Sequence, residues 1–252
     1  MSQKAEMILV LILSDKTNMT LTICIKAKDG IVLASDSRAS SFLTSNDTVK
    51  KLFGLDSHTA IGIAGDGSLA MHLIDTISSQ LNYRNGITNL AEQLRSLGKK
   101  QFDEFFSHLI PEKRPELTIL LAGYNVDKPE IYRLESTDNF VPRKNPTGFD
   151  CVGIPIIANY LLNRVYEHEV SVEHATEMAA FCIKETGSQD RRVGGPIQIA
   201  TFSDTKAYAE LSKEEIDKIS DRCEKYSLLH KGNFYPESVS GGTSTPEDAK
   251  RT

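Results

Sequence analysis

The sequence has few of the residue patterns that hold metals or redox centres. Its four cysteines are widely spaced with no C-x-x-C pair, and its six histidines show neither H-x-x-x-H nor H-x-H spacing. Zinc knuckles and dithiol redox motifs need such spacings, so no metal site is expected. Three of the cysteines lie in apolar stretches and are expected to be free core thiols, which is typical of a reducing, cytoplasmic compartment.

Long apolar runs are also scarce. No segment approaches the roughly 20 apolar residues that a membrane-spanning helix needs. The run 7–13 is apolar but short, it follows Lys4 and Glu6, and no small-residue cleavage site comes after it. It is therefore a poor signal peptide, and we expect no membrane association.

Length and charge are those of an ordinary globular protein. The chain has 252 residues, of which 40% are hydrophobic and 25% are charged. That length allows a substantial core in one large domain or two small ones. The net charge of -5 argues against nucleic acid as a main partner.

One predicted hairpin organises the rest of the chain. Residues 20–27 alternate β-branched or hydroxyl side chains with others, which predicts a half-buried strand. The Lys-Asp-Gly sequence at 28–30 predicts a tight turn, and the apolar run 31–34 predicts a strand buried on both faces. The hairpin would bring Thr20 close to Asp36. Such a pair is either a reactive site or two ordinary polar strand ends, and the hairpin alone favours the ordinary strand ends.

Further elements follow from hydrophobic periodicity and from turn residues. A Ser residue before each of the last two helices predicts an N-cap, and Ser212 with Glu215 resembles a capping box. Residues 135–147 are polar and predicted to be irregular. The predicted elements are helices over 67–82, 88–109, from 155, from 171 and from 212 to about Leu229, a hairpin of 117–124 and 130–134 across a loop at 125–129, and strands at 149–153 and 197–202.

The first hairpin resembles the N-terminus of a mature proteasome β-type subunit, a member of the N-terminal-nucleophile (Ntn) hydrolases. The shared features are a leading Thr, a further Thr shortly after it, Lys-Asp-Gly at the turn and an apolar strand that runs into Ala-x-Asp-x-Arg. The resemblance is specific here and through residues 51–65, and looser up to Asp204. It implies a four-layer αββα sandwich of the α+β class, whereas the order of elements alone supports only α+β or layered α/β.

The resemblance implies a catalytic set. Thr20 takes the place of the nucleophile, Asp36 and Lys51 of its acidic and basic partners, and Gly65 of the residue whose backbone N–H forms the oxyanion hole. Asp190 matches an acidic residue that supports the nucleophile. Taken alone, Lys51 is equally a solvated lysine and Gly65 a strand-to-helix turn, but their ungapped spacing favours the functional interpretation.

Substrate-binding residues are implied in the same way. Ala39, Val49 and Ile63 fall at pocket-lining positions, which would suit an apolar side chain before the cleaved bond. Ser40 would offer hydrogen bonds to an extended peptide that adds as a strand. The alternative is that these four residues simply pack between elements.

Three residues depart from the family pattern. Val152 and Val193 stand where active β subunits carry serines that hold the terminal amine and its proton path. Met19 stands where the family usually has Gly. The Thr-Lys-Asp set is intact, while the efficiency of catalysis, and compensation by a residue such as Ser188, stay open.

The resemblance divides the chain into three parts. Residues 1–19 are a propeptide or N-terminal extension, residues 20–230 a single Ntn-hydrolase domain, and residues 231–252 a tail expected to be disordered. Thr20 is freed by self-processing, by a translation start at Met19 followed by Met removal, or not at all. The sequence leaves these three routes open.

Three functional hypotheses follow. The first is a cytoplasmic threonine endopeptidase in a homo-oligomeric ring, which cleaves peptides or unfolded proteins through an acyl ester on Thr20 and needs no cofactor. Its partners would include other proteasome-like subunits or an ATP-dependent unfoldase. The second is an inactive structural subunit, and the third is an Ntn amidase or transpeptidase. The set of Thr20, Asp36 and Lys51 favours the enzyme, because a scaffold has no reason to keep all three.

Overall fold

The computed structural model describes residues 20–40, 45–80 and 86–234, with the side chains of 40, 68, 69, 78, 79 and 230–234 left out. The first hairpin is present, with strand β1 at Leu21–Ala27 and strand β2 at Gly30–Ser35. The two strands are antiparallel. Every residue of β2 is buried, as the apolar run predicts. The predicted extension 1–19 lies outside the described residues.

The other helices and strands follow in chain order. They are β3 (Ala39–Ser40), β4 (Ser45–Asn46), β5 (Leu52–Gly54), β6 (Thr59–Gly65), α1 (Gly67–Gln80), α2 (Gly86–Phe106), β7 (Leu117–Asn125), β8 (Lys128–Glu135), β9 (Arg143–Lys144), β10 (Phe149–Gly153), α3 (Ile156–Val165), α4 (Val172–Gln189), β11 (Gln198–Phe202), β12 (Ala209–Glu210) and α5 (Lys213–Phe234).

The described residues form two five-stranded antiparallel sheets. The first sheet has the order β10-β1-β2-β11-β12, and the second has the order β5-β6-β7-β8-β9. Strands β3 and β4 pair separately at the end of β2. The strand that starts next to Thr20, β1, is therefore an interior strand, paired with β10 on one side and β2 on the other.

Alternating side chains along the strands create the layers. On β1, Ile23 and Ile25 belong to the core under α3, α4 and α5, whereas Cys24 belongs to the core between the sheets. On β6, Ile61 packs against α1 and α2, and Ala60 faces the first sheet. The result is the four-layer αββα sandwich, so the predicted α+β class is confirmed.

Two helix starts match their sequence signals. The Ser171 side chain accepts a hydrogen bond from the backbone N–H of His174 and caps α4. The backbone N–H of Ser212 donates to Glu215 at 2.8 Å, and the N–H of Glu215 donates to the Ser212 hydroxyl at 3.3 Å. This reciprocal pair is a capping box, and it begins α5 as predicted.

Several local predictions were wrong. The predicted loop 125–129 is a turn of Val126 and Asp127 alone, because the β7–β8 ladder continues through the pairs beside it. The stretch 135–147 contains β9 and a 3₁₀ turn at Ser136–Asp138, since pairing with β8 orders it. Helix α2 starts and ends earlier than predicted. Helix α5 continues past Leu229 to Phe234, since the first proline after Leu229 is Pro236.

Candidate active site

Asp36 and Lys51 form a buried ion pair at the end of β2. Asp36 follows that strand directly, and Lys51 directly precedes β5. The Lys51 Nζ atom lies 2.9 Å from Oδ1 of Asp36 and also donates to the carbonyl oxygen of Arg38 at 2.6 Å. Burial lowers the pKa of Lys51, and the negative charge of Asp36 opposes that shift. The charge of this lysine therefore depends on Asp36.

Thr20 lies beside this pair. The backbone N–H of Leu21, the next residue, donates to the same Asp36 oxygen at 2.9 Å. The Thr20 carbonyl accepts a hydrogen bond from the N–H of Ile154 at 2.8 Å, and the residue is 5% exposed. The predicted nucleophile is thus one peptide unit away from the Asp36–Lys51 pair.

Two glycines with positive φ lie at the ends of β10 and β6. Gly153 has a φ of +88°, and a Cβ there would overlap the carbonyl oxygen of Thr20 and reach the Cβ of Ala64. Gly65 has a φ of +115°, and a Cβ there would overlap the carbonyl oxygen of Glu116. The end of β6, where Gly65 lies, is therefore packed near Thr20. A hydrogen-bond donor to the oxyanion of a reaction at Thr20 would have to lie in this region.

The second oxygen of Asp36 is held by backbone donors. Its Oδ2 accepts from the N–H of Arg38 at 3.1 Å and from the N–H of Gly194 at 3.0 Å. Gly194 belongs to the loop between α4 and β11. Together with Lys51 and the N–H of Leu21, these donors satisfy the acceptor positions of the carboxylate.

The Asp190 carboxylate is paired with Arg192. It accepts from the Arg192 Nε atom at 3.0 Å and from Nη2 at 2.7 Å, and these bonds lower the pKa of Asp190. Val193 is buried under α4, and Val152 is buried between the sheets. Both valines serve as packing residues, and the predicted support of Thr20 by Asp190 stays a prediction.

The predicted substrate residues fall into two groups. Ile63 donates its backbone N–H to the Lys51 carbonyl at 3.0 Å, and Val49 is half-buried two residues before Lys51. Ala39 is exposed in β3, and the backbone of Ser40 pairs with β4. Ile63 is thus hydrogen-bonded to Lys51 and Val49 is close to it in sequence, whereas Ala39 and Ser40 lie on the adjoining hairpin.

Sequence reasoning missed four residues around the pair. Gln198 accepts from the Lys51 backbone N–H at 3.0 Å and donates to the Val49 carbonyl at 2.6 Å, which fixes the approach to β5. Arg38 and Asp47 form an ion pair next to it. Two signals were visible, the Arg of the Ala-x-Asp-x-Arg motif and the Gly-Gly pair after Asp190. The other two, Asp47 and Gln198, gave no signal, because no local pattern marks their partners.

Two further features bear on function. No group of three or more His, Cys, Asp or Glu residues that could hold a metal ion occurs in the described ranges. Of the helices that the structure describes, none is long and apolar enough to cross a membrane.

Comparisons with known proteins identify the family. The family model described as proteasome subunit matches residues 17–202. The chain is 27% identical to the proteasome subunit beta of Methanopyrus kandleri over 214 residues, which covers 82% of this chain and 98% of the relative. It is 28% identical to the corresponding subunit of Methanothermobacter thermautotrophicus over 215 residues, with coverages of 82% and 97%. The chain therefore belongs to the proteasome subunit family, and these relatives are beta subunits of that family.

A solved structure shows the same fold. Anbu (ancestral beta-subunit) from Yersinia bercovieri superposes with a TM-score of 0.69 at 14% sequence identity, covering 84% of this chain and 96% of that chain. At this identity the likeness concerns the fold alone. It agrees with the two antiparallel sheets and the two helical layers.

Proposed function

We propose that the chain is a threonine endopeptidase of the proteasome β-like type, with the Thr20 hydroxyl as its nucleophile after removal of residues 1–19. The observation that carries the proposal is the buried Asp36–Lys51 pair, whose Asp36 also binds the amide after Thr20. A buried ion pair contributes little net stability, because the cost of desolvation offsets the attraction. Its position beside Thr20 therefore supports a chemical role.

The proposed base is the α-amine of Thr20. A threonine hydroxyl is a weak nucleophile and needs a neighbouring base. A free α-amine has an ordinary pKa of about 8 and can accept the hydroxyl proton near neutral pH. The nitrogen of a Met19–Thr20 peptide bond cannot do this, so removal of residues 1–19 is part of the proposal.

The steps then follow from the groups around Thr20. The Thr20 Oγ atom attacks the carbonyl carbon of the substrate while the α-amine takes the hydroxyl proton. The Lys51 ammonium, held by Asp36, favours the developing alkoxide, and the Gly65 N–H would donate to the oxyanion. Collapse breaks the peptide bond, and the α-ammonium returns its proton to the leaving amine. Water then hydrolyses the acyl ester on Thr20.

The proposal extends to substrate and assembly. Ala39, Val49 and Ile63 would line an apolar pocket for the residue before the cleaved bond, and Ser40 would offer hydrogen bonds to an extended peptide. Residues 20–234, up to the end of α5, would be the catalytic domain of a cytoplasmic, multi-subunit ring. The ring is supported by the family to which the chain belongs.

A second candidate function is that of an inactive structural subunit. The observation that favours it is the pairing of Asp190 with Arg192, together with the buried valines at 152 and 193. In that case the Asp36–Lys51 pair would hold two loops together without taking part in a reaction.

Turnover of a fluorogenic peptide with an apolar residue before the fluorophore separates the two. We expect the wild type to cleave it, Thr20→Ser to retain part of the activity, and Thr20→Ala to fall to background with unchanged assembly on size-exclusion chromatography. Absence of turnover in an assembled wild type whose first residue is Thr20 would support the structural subunit. Unchanged turnover in Thr20→Ala would rule out the proposed nucleophile.

A further inference from the structure

We propose that Arg38 is a positioning residue for the Asp36–Lys51 pair, and that it acts through a clamp formed by its guanidinium, the Asp47 carboxylate and the Arg191 carbonyl. We call these three groups the Arg38 clamp. The catalytic consequence of this inference rests on the proposed peptidase function, whereas the positioning of Lys51 can be tested without it.

The guanidinium holds two loops at once. Its Nε atom donates to Oδ1 of Asp47 at 2.7 Å, and Nη2 donates to Oδ2 at 2.8 Å. Nη1 donates to the carbonyl oxygen of Arg191 at 2.9 Å. Asp47 belongs to the loop that leads to Lys51, and Arg191 to the loop after α4. A planar fork can make these three bonds in one fixed orientation, whereas a lysine ammonium cannot.

The backbone of the same residue touches both members of the pair. The carbonyl oxygen of Arg38 accepts a hydrogen bond from Lys51 Nζ at 2.6 Å. The backbone N–H of Arg38 donates to Oδ2 of Asp36 at 3.1 Å. Because the side chain and these two groups share one residue, fixing the guanidinium also fixes them. Arg38 thereby fixes the position of the Lys51 ammonium.

Gly194 is an independent observation in favour of the clamp. A Cβ at this position would lie 2.6 Å from the Cζ and Nη1 atoms of Arg38, so the guanidinium packs directly against the bare backbone. The Gly194 carbonyl accepts from the N–H groups of Ser37 at 3.2 Å and Arg38 at 3.0 Å, while its own N–H binds Asp36. A side chain at 194 would displace the guanidinium from the place where it holds both loops.

The charges that face Lys51 come from these same elements. Burial has the largest effect on the pKa of Lys51 and lowers it. Asp36 and Asp47 raise this pKa, and Arg38 lowers it. The hydroxyl of Ser37 also donates to the Asp47 backbone carbonyl at 2.6 Å, which anchors Asp47 a second time. The clamp therefore affects both the position and the electrostatic surroundings of Lys51.

Competitive labelling of Lys51 and Lys50 tests the positioning directly. The Lys50 side chain is 52% exposed and that of Lys51 is 4% exposed, so Lys50 is an internal reference on the adjacent residue. An amine-specific reagent is applied to the folded protein, and the two sites are quantified by mass spectrometry. We expect Arg38→Lys and Asp47→Asn each to raise the Lys51-to-Lys50 ratio by about tenfold or more, as expected for the loss of charged hydrogen bonds.

Steady-state kinetics, with kcat normalised to the folded and assembled fraction of each variant, adds a catalytic readout. If residue 38 positions the reacting groups, Arg38→Lys should lower kcat by about 10²-fold while KM changes little. Arg143→Lys is the matched control, because Arg143 forms an exposed ion pair with Asp138. It should leave both the labelling ratio and kcat unchanged. If Arg38→Lys does not fold, both measurements are made on Asp47→Asn, which adds no new amine for the reagent to label.

The outcomes separate the inference from the proposed function. An unchanged labelling ratio in the folded variants overturns the clamp, whatever the activity. A raised ratio with wild-type kcat removes its catalytic consequence and overturns Arg38 as a positioning residue for the reaction. Full activity in Thr20→Ala would instead overturn the proposed function, and the labelling ratio would still decide whether Arg38 positions Lys51.

Discussion

The Lys51 ammonium nitrogen lies 2.9 Å from Oδ1 of Asp36, and the two side chains are 4% and 0% exposed. The carboxylate receives further hydrogen bonds from the backbone N–H groups of Leu21, Arg38 and Gly194. These donors come from β1, from the end of β2 and from the loop after α4. Asp36 is therefore the residue through which Lys51 is connected to Thr20.

Asp36→Asn should destabilise the protein strongly. The substitution leaves the Lys51 ammonium buried without its main counter-charge and lowers the pKa of Lys51 further, because Asp36 opposes the effect of burial more than Asp47 does. Breaking a buried ion pair in this way costs about 3–5 kcal/mol in the free energy of unfolding. Urea denaturation at neutral pH measures the change.

Asp138→Asn is the matched control for that experiment. Asp138 is paired with Arg143 at the surface, where an ion pair contributes at most about 1 kcal/mol. Equal losses of stability in the two variants would contradict the importance given to the buried pair.

Gly153→Ala should affect both stability and catalysis. The new Cβ would overlap the Thr20 carbonyl oxygen, and the φ of +88° is unfavourable for alanine. We expect a loss of about 1–3 kcal/mol in the free energy of unfolding and a marked fall in kcat, since Thr20 must move.

Gly67→Ala is the control, because nothing lies within 4 Å of its Cβ position and the residue begins α1. It should be neutral or gain about 0.5–1 kcal/mol. Wild-type kcat in Gly153→Ala would argue against a fixed Thr20 backbone.

The four cysteines should resist alkylation while the protein is folded. All are buried, and burial raises the pKa of Cys182 to about 12 and that of Cys223 to about 11. The thiolate is the reactive form, so at about pH 8 these thiols should react with iodoacetamide far more slowly than an exposed cysteine, and the slow rate should rise about tenfold for each pH unit. In urea all four should react. Rapid labelling of Cys182 in the native protein would show that α4 and α5 separate in solution.

Local signals predicted much of the fold. The first hairpin followed from the Lys-Asp-Gly turn and from β-branched alternation, and the capping box at Ser212 marked the start of α5. The pairing of β1 with β10 joins Leu21 to Gly153, and no local pattern encodes such a distant contact. The strands β3, β4, β9 and β12 have two residues each, which is too short for any periodicity to appear.

The candidate site was predictable to a similar extent. Asp36 and Lys51 were found through their resemblance to a known motif, and they do form a pair. The pairing of Asp190 with Arg192 could not be anticipated, because an aspartate two residues before an arginine has no fixed geometry. The clamp on Arg38 likewise needs two loops that only the folded chain brings together.

The intact mass of the purified, assembled protein tests the central claim most directly. The proposed mechanism uses the α-amine of Thr20 as its base, so the account predicts the mass of a chain that begins at Thr20. Thr20→Ala would then show how this end arises, since retention of residues 1–19 in that variant means that Thr20 cleaves the chain itself. A wild-type mass that retains residues 1–19 in the assembled protein would contradict the account, because Thr20 would then be an internal residue without a free amine.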